Sequence, residues 1–306
     1  MAVLPKFAYF EGRIVPYAEA RVPVMIQGLN YGSACFAGLR GYWNTAEQQL
    51  FIFRPLDHFK RFLNSARILF MNLGLDETQF TQISINLLRT EGYREDVYIR
   101  SLAYKADESI GVRLHNQRDA LTIFSVPFGS YMKEDGAHLT VSSWRRVDDN
   151  AIPPRGKISG AYANSALIKT DAYHSGYDDA LVLNQDGHIS EASTANVFMV
   201  RDGVVCTPPI FDNVLEGITR RTVIDLVREE LKLPVVERSI DRSEIYLADE
   251  VWLCGTGVQI VTVTQIDHRP IGSGAMGPVV EQLRQVYFSV VRGQNMKYRA
   301  WCQPVY

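Results

Sequence analysis

The sequence predicts a protein of mixed α+β and α/β class that folds as two domains. Its 306 residues are too many for one ordinary core and suit two domains of typical size. The first part combines β-hairpin patterns with helical patterns, and the remainder intersperses short apolar strands with helices. Hydrophobic residues make up 46% and charged residues 22% of the chain, which is an ordinary globular balance.

A small N-terminal domain is predicted over residues 1–128. Apolar residues alternate around Glu11-Gly12, which indicates a hairpin because this dipeptide suits a tight turn. Asp76 stands directly before a helical pattern, in the position of an N-cap. The predicted elements are a hairpin at 7–15, a hairpin that pairs 39–43 with 50–53, helices at 56–69 and 77–91, and strands at 97–103 and 121–126.

A polar, glycine-bounded segment at 129–136 is predicted to link this domain to a larger one at 137–306. In the second domain, the pattern at 218–231 places apolar residues at a helical spacing. The predicted elements are strands at 139–144, 180–183, 197–200, 251–254 and 260–266, and helices at 161–174, 218–231 and 279–291.

Charge and composition exclude several function classes. The net charge of −2, with both signs interspersed, offers no basic stripe for nucleic acid and no polybasic membrane anchor. The N-terminus does not read as a signal peptide, and no apolar stretch approaches bilayer length, so we expect a cytoplasmic protein. The histidines lack metal-ligand spacing, so no metal is expected. The four cysteines form no CxxC and are expected to be buried free thiols: Cys35, Cys206, Cys254 and Cys302.

Four features could together carry chemistry. Lys157 lies in a glycine-flanked loop, although a lone lysine is usually a solvated surface charge. Glu191 ends a short apolar strand with no lysine or arginine close to it in sequence. The segments 215–221 (LEGITRR) and 255–257 (GTG) could each offer backbone N–H groups to an anion. A lysine, an acid and two anion-binding turns are what an aldehyde cofactor with a ring nitrogen and a phosphate requires.

These motifs resemble a known family. GKISGAYANS, the strand end ISEA, LEGITRR and LADEVWLCGTG look like the fold-type IV pyridoxal-phosphate enzymes, and especially the branched-chain amino acid aminotransferases. The likeness runs from Phe10 almost to the last helix. It implies a small N-terminal α/β domain, a larger C-terminal domain with a β-barrel-like core, pyridoxal 5'-phosphate as cofactor, and a homodimer or higher homo-oligomer.

The resemblance also assigns a cofactor site. Lys157 would be the catalytic residue and would hold the cofactor's aldehyde, and Tyr162 would contact the phenolic oxygen. Glu191 would pair with the ring nitrogen. The phosphate would be received by Ile218, Thr219, Thr256 and Arg61. The remaining cofactor-binding positions are Leu215 and Gly217.

A substrate site follows from the same likeness. The reaction it implies is transamination between branched-chain L-amino acids (leucine, isoleucine, valine) and 2-oxoglutarate. Residues 110–112 match a loop that the neighbouring subunit contributes. The implied substrate-binding positions are Tyr31, Phe36, Arg40, Tyr98, Arg100, Val112, Phe128, Tyr131 and Gly257.

Departures from the family pattern keep other functions open. Ala37 stands where an acid is usual, Phe128 where tryptophan is usual, and 257–259 (GVQ) where two alanines and an acid are usual. We therefore expect relaxed specificity, with activity on (R)-amines. The alternatives are an (R)-amine or D-amino-acid transaminase, an aminodeoxychorismate lyase, or a catalytically silent relative. The literal GxGxxG at 272–277 is rejected as a dinucleotide motif and is expected to lead into a helix.

Overall fold

The structure is a computed structural model that describes residues 3–129 and 136–306. It contains sixteen strands and six α-helices within those residues. The strands are β1 Phe7–Phe10, β2 Arg13–Pro16, β3 Ala34–Asn44, β4 Gln49–Phe53, β5 Val97–Lys105, β6 Asp119–Pro127, β7 Ala137–Arg145, β8 Asp179–Leu183, β9 Ile189–Ala192, β10 Asn196–Arg201, β11 Val204–Thr207, β12 Val235–Glu237, β13 Glu250–Gly255, β14 Gln259–Ile266, β15 Arg269–Pro270 and β16 Cys302–Pro304. The helices are α1 Gln27–Tyr31, α2 Pro55–Ile68, α3 Glu77–Glu91, α4 Tyr162–His174, α5 Ile218–Leu226 and α6 Pro278–Val291.

The chain divides into two compact units, and neither is one continuous segment. The sequence interpretation placed the C-terminal residues in the second domain. In the structure, β16 belongs to unit 1, because it pairs antiparallel with β4. Lys157 also belongs to unit 1. The units are Met1–Gly129, Gly156–Gly160 and Ser289–Tyr306 for unit 1, and Ser130–Arg155 and Ala161–Phe288 for unit 2.

Unit 1 is built on a seven-stranded sheet in the order β16-β4-β3-β5-β6-β1-β2, and every pairing is antiparallel. The predicted first hairpin is confirmed, with Glu11 and Gly12 both at positive φ in the turn between β1 and β2. The predicted N-cap is also confirmed: Asp76 and Gln79 form a capping box at the start of α3. Phe59 of α2 stacks on Phe80 of α3 at 5.2 Å, which holds the two helices together.

Unit 2 is built on a mixed sheet in the order β12-β11-β10-β13-β14-β7-β8-β9, with β15 paired to β14. The turn after β9 is closed by a hydrogen bond from Ala192 N–H to the Ala195 carbonyl, which leads the chain from the edge strand β9 into β10. The sheet core includes Trp252, fully buried and stacked on Phe198 at 5.3 Å. Strand β9 of this sheet carries Glu191, and Thr256 follows strand β13.

The glycine-rich segment before α6 has a structural role. The carboxylate of Glu250 on β13 accepts hydrogen bonds from the N–H groups of Val279 and Val280, which caps α6. Gly277 permits this approach, because a Cβ there would overlap the Glu250 side chain. The first turn of α6 is therefore occupied by a protein carboxylate, which agrees with rejecting 272–277 as a dinucleotide site.

Two of the predicted elements differ from the structure by several residues. The helix expected at 218–231 is α-helical only to Leu226 and continues as a π-helix over Val227–Leu231. Strand β3 begins at Ala34, five residues before the predicted start, because its first half pairs with β5 across a small-residue run that carries no clear alternation. The earlier start of β3 comes from tertiary pairing, which local pattern does not encode.

All four cysteines are free and buried, as predicted, and burial raises the pKa of the Cys35 thiol to about 12. Within 3–129 and 136–306, no group of three or more potential metal ligands is assembled. None of the helices in these ranges is long and apolar enough to cross a bilayer.

Candidate active site

The first group of predicted site residues lies on one face of β3 and β5. In the register of these strands, Gly38 is opposite Arg100 and Arg40 is opposite Tyr98. Directly opposite residues in an antiparallel pair point to the same side of the sheet, so these positions share a face. Gly38 leaves space for the Tyr98 side chain, because a Cβ at position 38 would overlap the Tyr98 hydroxyl.

Arg100 places a cation on this face. Its Nη2 donates to the Tyr98 hydroxyl at 3.1 Å, and its Cζ lies 4.3 Å from the centroid of the Phe36 ring. Its Nε is buried and has no hydrogen-bond partner among the described residues. A buried N–H without a partner favours binding of an oxygen-bearing ligand.

Arg40 has a more structural setting than its neighbour Arg100. It is 2% exposed, its Nη2 donates to the Gly129 carbonyl at 2.7 Å, and its Cζ lies 4.8 Å from the centroid of the Phe128 ring. The Phe128 ring in turn packs against Tyr98 at 5.3 Å. Arg40 therefore helps to position two predicted substrate-binding residues. Tyr131, another predicted member of this group, lies outside the described residues.

Lys157 belongs to the same unit, and its backbone is fixed at both ends. Its N–H donates to the Ser65 hydroxyl at 3.0 Å, and its carbonyl accepts from the Phe36 N–H at 3.0 Å. Ser65 also donates to the carbonyl of Arg61, so α2 ties these two predicted residues together through one hydroxyl. The Lys157 Nζ lies 5.0 Å from the Phe36 centroid, so Phe36 contacts two cations, Lys157 and Arg100.

Tyr31 and Val112 lie in an exposed part of unit 1. The Tyr31 hydroxyl accepts a hydrogen bond from the Gly111 N–H at 3.2 Å, which joins α1 to the 110–112 loop. Ile110 is 81% and Val112 75% exposed. The loop thus presents apolar side chains to solvent in the isolated chain.

Glu191 on β9 is the centre of the site residues in unit 2. Its side chain is 5% exposed and makes an ion pair with Arg146, with Nη2 2.8 Å from Oε1. Its Oε2 accepts from the Asn196 amide at 3.0 Å and from the Leu215 N–H at 3.1 Å. A carboxylate offers about four lone-pair positions, so these three donors leave capacity for one more. The buried acid is thus oriented and can accept a further N–H.

The start of α5 forms an open helix N-terminus. Its N-cap is Gly217, and no side chain makes a capping hydrogen bond there. Ile218 and Thr219 are buried, at 6% and 3% exposure. Because the first N–H groups of a helix need acceptors and carry partial positive charge, this end suits an anion, in contrast to the capped start of α6.

Thr256 and Gly257 lie in the turn between β13 and β14, and Tyr162 is the first residue of α4. A Cβ at Gly257 would meet nothing within 4 Å, so open space adjoins this predicted substrate position. Five other predicted residues of unit 2 lie together. Glu191 is hydrogen-bonded to Leu215, and Gly217 N–H donates to the Leu215 carbonyl. Ile218 and Thr219 follow Gly217 as the first residues of α5.

Three residues of these clusters were missed by sequence reasoning. Ser65 holds Lys157, Arg146 pairs with Glu191, and Asn196 joins Glu191 to the loop before α5. Asn196 had a usable signal, since it lies in the same short motif as Glu191. Arg146 and Ser65 gave none, because their partners are distant in sequence.

Comparisons with known proteins give a consistent result. Residues 42–266 match the family model described as amino-transferase class IV. A probable branched-chain-amino-acid aminotransferase of Aquifex aeolicus is 46% identical over 98% of this chain and 97% of its own.

Solved structures with a similar fold extend over the whole chain. The branched-chain amino acid aminotransferase of Thermobaculum terrenum in its PLP-form superposes with a TM-score of 0.94 at 41% identity, covering 99% of both chains. The branched-chain amino acid aminotransferase of T.th., complexed with N-(5'-phosphopyridoxyl)-L-glutamate, gives a TM-score of 0.94 at 37% identity, again over 99% of both chains.

Proposed function

The chain belongs to the class IV aminotransferase family, and we propose that it transfers amino groups between branched-chain L-amino acids and 2-oxoglutarate, with Lys157 as the cofactor-binding lysine. The predicted family, fold type IV architecture and aminotransferase class are confirmed. The predicted cofactor, pyridoxal 5'-phosphate, is confirmed as that of this fold type. The substrates and the roles of individual residues are our proposal.

The observation that carries the proposal is the setting of Lys157. The side chain of Lys157 is only partly exposed, its Nζ lies 5.0 Å from the centroid of the Phe36 ring, and both of its backbone groups are hydrogen-bonded. An amine that is held beside an aromatic ring on an anchored backbone suits covalent attachment to an aldehyde.

The residues of unit 2 fit the other two groups of the cofactor. Glu191 retains acceptor capacity for one N–H, which matches a protonated ring nitrogen. The uncapped start of α5, with Ile218 and Thr219, suits a phosphate group. We assign Leu215, Gly217, Thr256, Tyr162 and Arg61 to cofactor binding on the family resemblance alone.

The protein's own residues then perform three tasks. When bound, pyridoxal phosphate supplies an electron sink for the pair released as the amino acid loses its Cα proton. Glu191 holds the proton at the ring nitrogen. Lys157 would hold the cofactor through its amine and, when that amine is free, would act as the base that takes up and returns the Cα proton. Arg146, by pairing with Glu191, keeps that carboxylate in one orientation.

Arg100 supports 2-oxoglutarate as the amino acceptor. Its buried Nε has no hydrogen-bond partner among the described residues, and its guanidinium lies beside Phe36, which also contacts Lys157. A second carboxylate is the ligand that such a guanidinium binds best, whereas a leucine side chain would use the aromatic surfaces of Phe36 and Tyr98. In the T.th. relative, the bound adduct carries L-glutamate.

We also propose a homodimer or higher homo-oligomer in which the 110–112 loop meets a second copy. The exposed side chains of Ile110 and Val112 support this proposal, because exposed apolar clusters favour association. A cytoplasmic location is supported by four unpaired cysteines, which are usual in reducing compartments.

A half-reaction screen tests the proposal. The protein, loaded with pyridoxal 5'-phosphate, should show a near-visible absorption band that leucine, isoleucine, valine and glutamate each discharge. Lys157→Ala should lack the band that depends on covalent attachment. Strong turnover of D-alanine or (R)-amines without leucine would favour the D-amino-acid or (R)-amine transaminase, whose specificity the open space beside Gly257 could accommodate. Pyruvate release from aminodeoxychorismate would favour the lyase, and colourless protein would favour the silent relative.

A further inference from the structure

We propose that Asn196 is a positioning residue that links the binding of the cofactor's ring nitrogen to the binding of its phosphate. The inference rests on the cofactor assignment proposed above. A single side-chain amide holds the carboxylate of Glu191 and, at the same time, the loop from which α5 begins.

The hydrogen bonds form a closed group of three residues. The Nδ2 of Asn196 donates to Oε2 of Glu191 at 3.0 Å and to the Leu215 carbonyl at 3.0 Å, which uses both N–H bonds of the amide. The Leu215 N–H donates to the same Oε2 at 3.1 Å. Because Asn196 is 5% exposed, water cannot readily replace these bonds when one is lost.

Gly217 extends the group to the helix. A Cβ at this position would overlap the Oδ1 of Asn196. The backbone of Gly217 has φ −68° and ψ 132°, which any L-residue adopts without strain, so space and not conformation requires a glycine here. Gly217 is the N-cap of α5, so a shift of the Asn196 amide displaces the helix start as well as the carboxylate.

A matched amide in unit 1 separates this role from simple burial. The Nδ2 of Asn44 donates to Oε1 of Glu47 at 3.1 Å and to the Arg292 carbonyl at 3.0 Å, and Asn44 is 2% exposed. Asn44 therefore makes the same two kinds of bond from a buried position, but among the described residues its hydrogen bonds reach neither Glu191 nor residues 208–217, the loop before α5. Asn44→Ala is the control for the loss of one buried amide.

The test measures binding by calorimetry to the full chain freed of cofactor. The probes are pyridoxine 5'-phosphate, which lacks the aldehyde and cannot couple to Lys157, and inorganic phosphate alone. Asn196→Ala should weaken pyridoxine 5'-phosphate binding at least about tenfold and inorganic phosphate binding several-fold, because a buried bond to a charged group is lost. Glu191→Gln should weaken only the binding of pyridoxine 5'-phosphate, and Asn44→Ala should change the binding of neither probe by more than about twofold.

A double-mutant cycle with Gly217→Ala tests the contact itself and remains informative if Asn196→Ala folds poorly. Gly217→Ala should weaken binding of both probes in the wild-type background. Combined with Asn196→Ala, it should add little, because the overlapping Oδ1 is gone.

Three results would overturn the coupling. They are inorganic phosphate binding that is unchanged in Asn196→Ala, additive effects in the cycle, and equal losses of binding in Asn44→Ala and Asn196→Ala. A wild-type chain that binds inorganic phosphate but not pyridoxine 5'-phosphate would instead refute the proposed cofactor function, and the coupling with it.

Discussion

Arg146 and Glu191 form a buried ion pair in which Nη2 lies 2.8 Å from Oε1 and the two side chains are 11% and 5% exposed. Removal of one partner from such a pair leaves an uncompensated charge out of reach of water. Arg146→Met should therefore lower the free energy of unfolding by about 3 kcal/mol. Urea unfolding of the cofactor-free chain measures this loss.

The double variant Arg146→Met with Glu191→Gln should recover part of that loss, since no charge remains buried and the glutamine carbonyl can still accept from Asn196 and Leu215. An exposed pair such as Arg155 and Asp149, each more than 40% exposed, is the control, and Arg155→Met should cost about 0.5 kcal/mol or less. Equal costs for Arg146→Met and Arg155→Met would show that the Arg146 pair is solvated and not structurally important.

The hydroxyl of Ser65 should matter to the chemistry more than to stability. Ser65→Ala removes the acceptor of the Lys157 N–H and the donor to the Arg61 carbonyl. We expect kcat to fall several-fold, because a small displacement of a reacting group slows a reaction. Ser84→Ala is a closely matched control: Ser84 is equally buried on a helix and donates only to the Phe80 carbonyl, four residues earlier.

Ser84→Ala should lose about 1 kcal/mol of stability by thermal or urea unfolding, and Ser65→Ala about 2 kcal/mol, because the Lys157 N–H also loses its acceptor. Only Ser65→Ala should lose activity beyond what the fraction of folded protein explains. If the kcat of the two variants were equal, the anchoring of Lys157 by Ser65 would have no part in catalysis.

The sequence pattern predicted most of the helices and strands, because their formation depends largely on residues that are close together in the chain. Asp76 and Gln79 signalled the start of α3 within four residues of sequence, and Glu11-Gly12 signalled the first hairpin. Long-range pairing was not predictable in this way. The strand Cys302–Pro304 joins the sheet of unit 1 through β4, and no periodicity near the C-terminus indicates it.

The candidate site shows the same division. Lys157 and Glu191 stand in recognisable motifs, and the likeness to a family gave them roles. Arg146 could not be predicted as the partner of Glu191, because the sequence near Glu191 contains no cation. The two residues come together because β8 pairs with β7, which Arg146 follows, and with β9, which carries Glu191. Asn196 could have been found as an amide close to a buried acid, but its second bond, to Leu215, required the fold.

The cap that Glu250 places on α6 should contribute strongly to the stability of unit 2. Glu250→Ala leaves the N–H groups of Val279 and Val280 without their acceptor. The loss should be about 2 kcal/mol in the free energy of unfolding. Glu281→Ala, an exposed acid in the first turn of the same helix, should cost less than about 0.5 kcal/mol. Similar losses for both would mean that α6 is held by packing and not by this cap.

Glu244 should make stability fall in acid over a defined range. The hydrogen bond from Arg238, with a further one from Arg201, lowers the pKa of this carboxyl from 4.5 to about 2. A carboxyl whose pKa is lowered on folding stabilises the protein fully above its unfolded pKa and loses that contribution as pH falls through the folded value. The contribution of Glu244 is therefore complete above about pH 5 and is lost between about pH 4.5 and pH 2.

Glu244→Gln should accordingly be less stable than the wild type near neutral pH, and the difference should shrink as the pH falls towards about 2. Urea unfolding at several pH values measures the difference, and added salt should reduce it because Arg201 and Arg238 are partly exposed. Glu281→Gln, at an exposed acid of α6, serves as the control. A Glu244→Gln difference that stays constant or grows on acidification would contradict the lowered pKa.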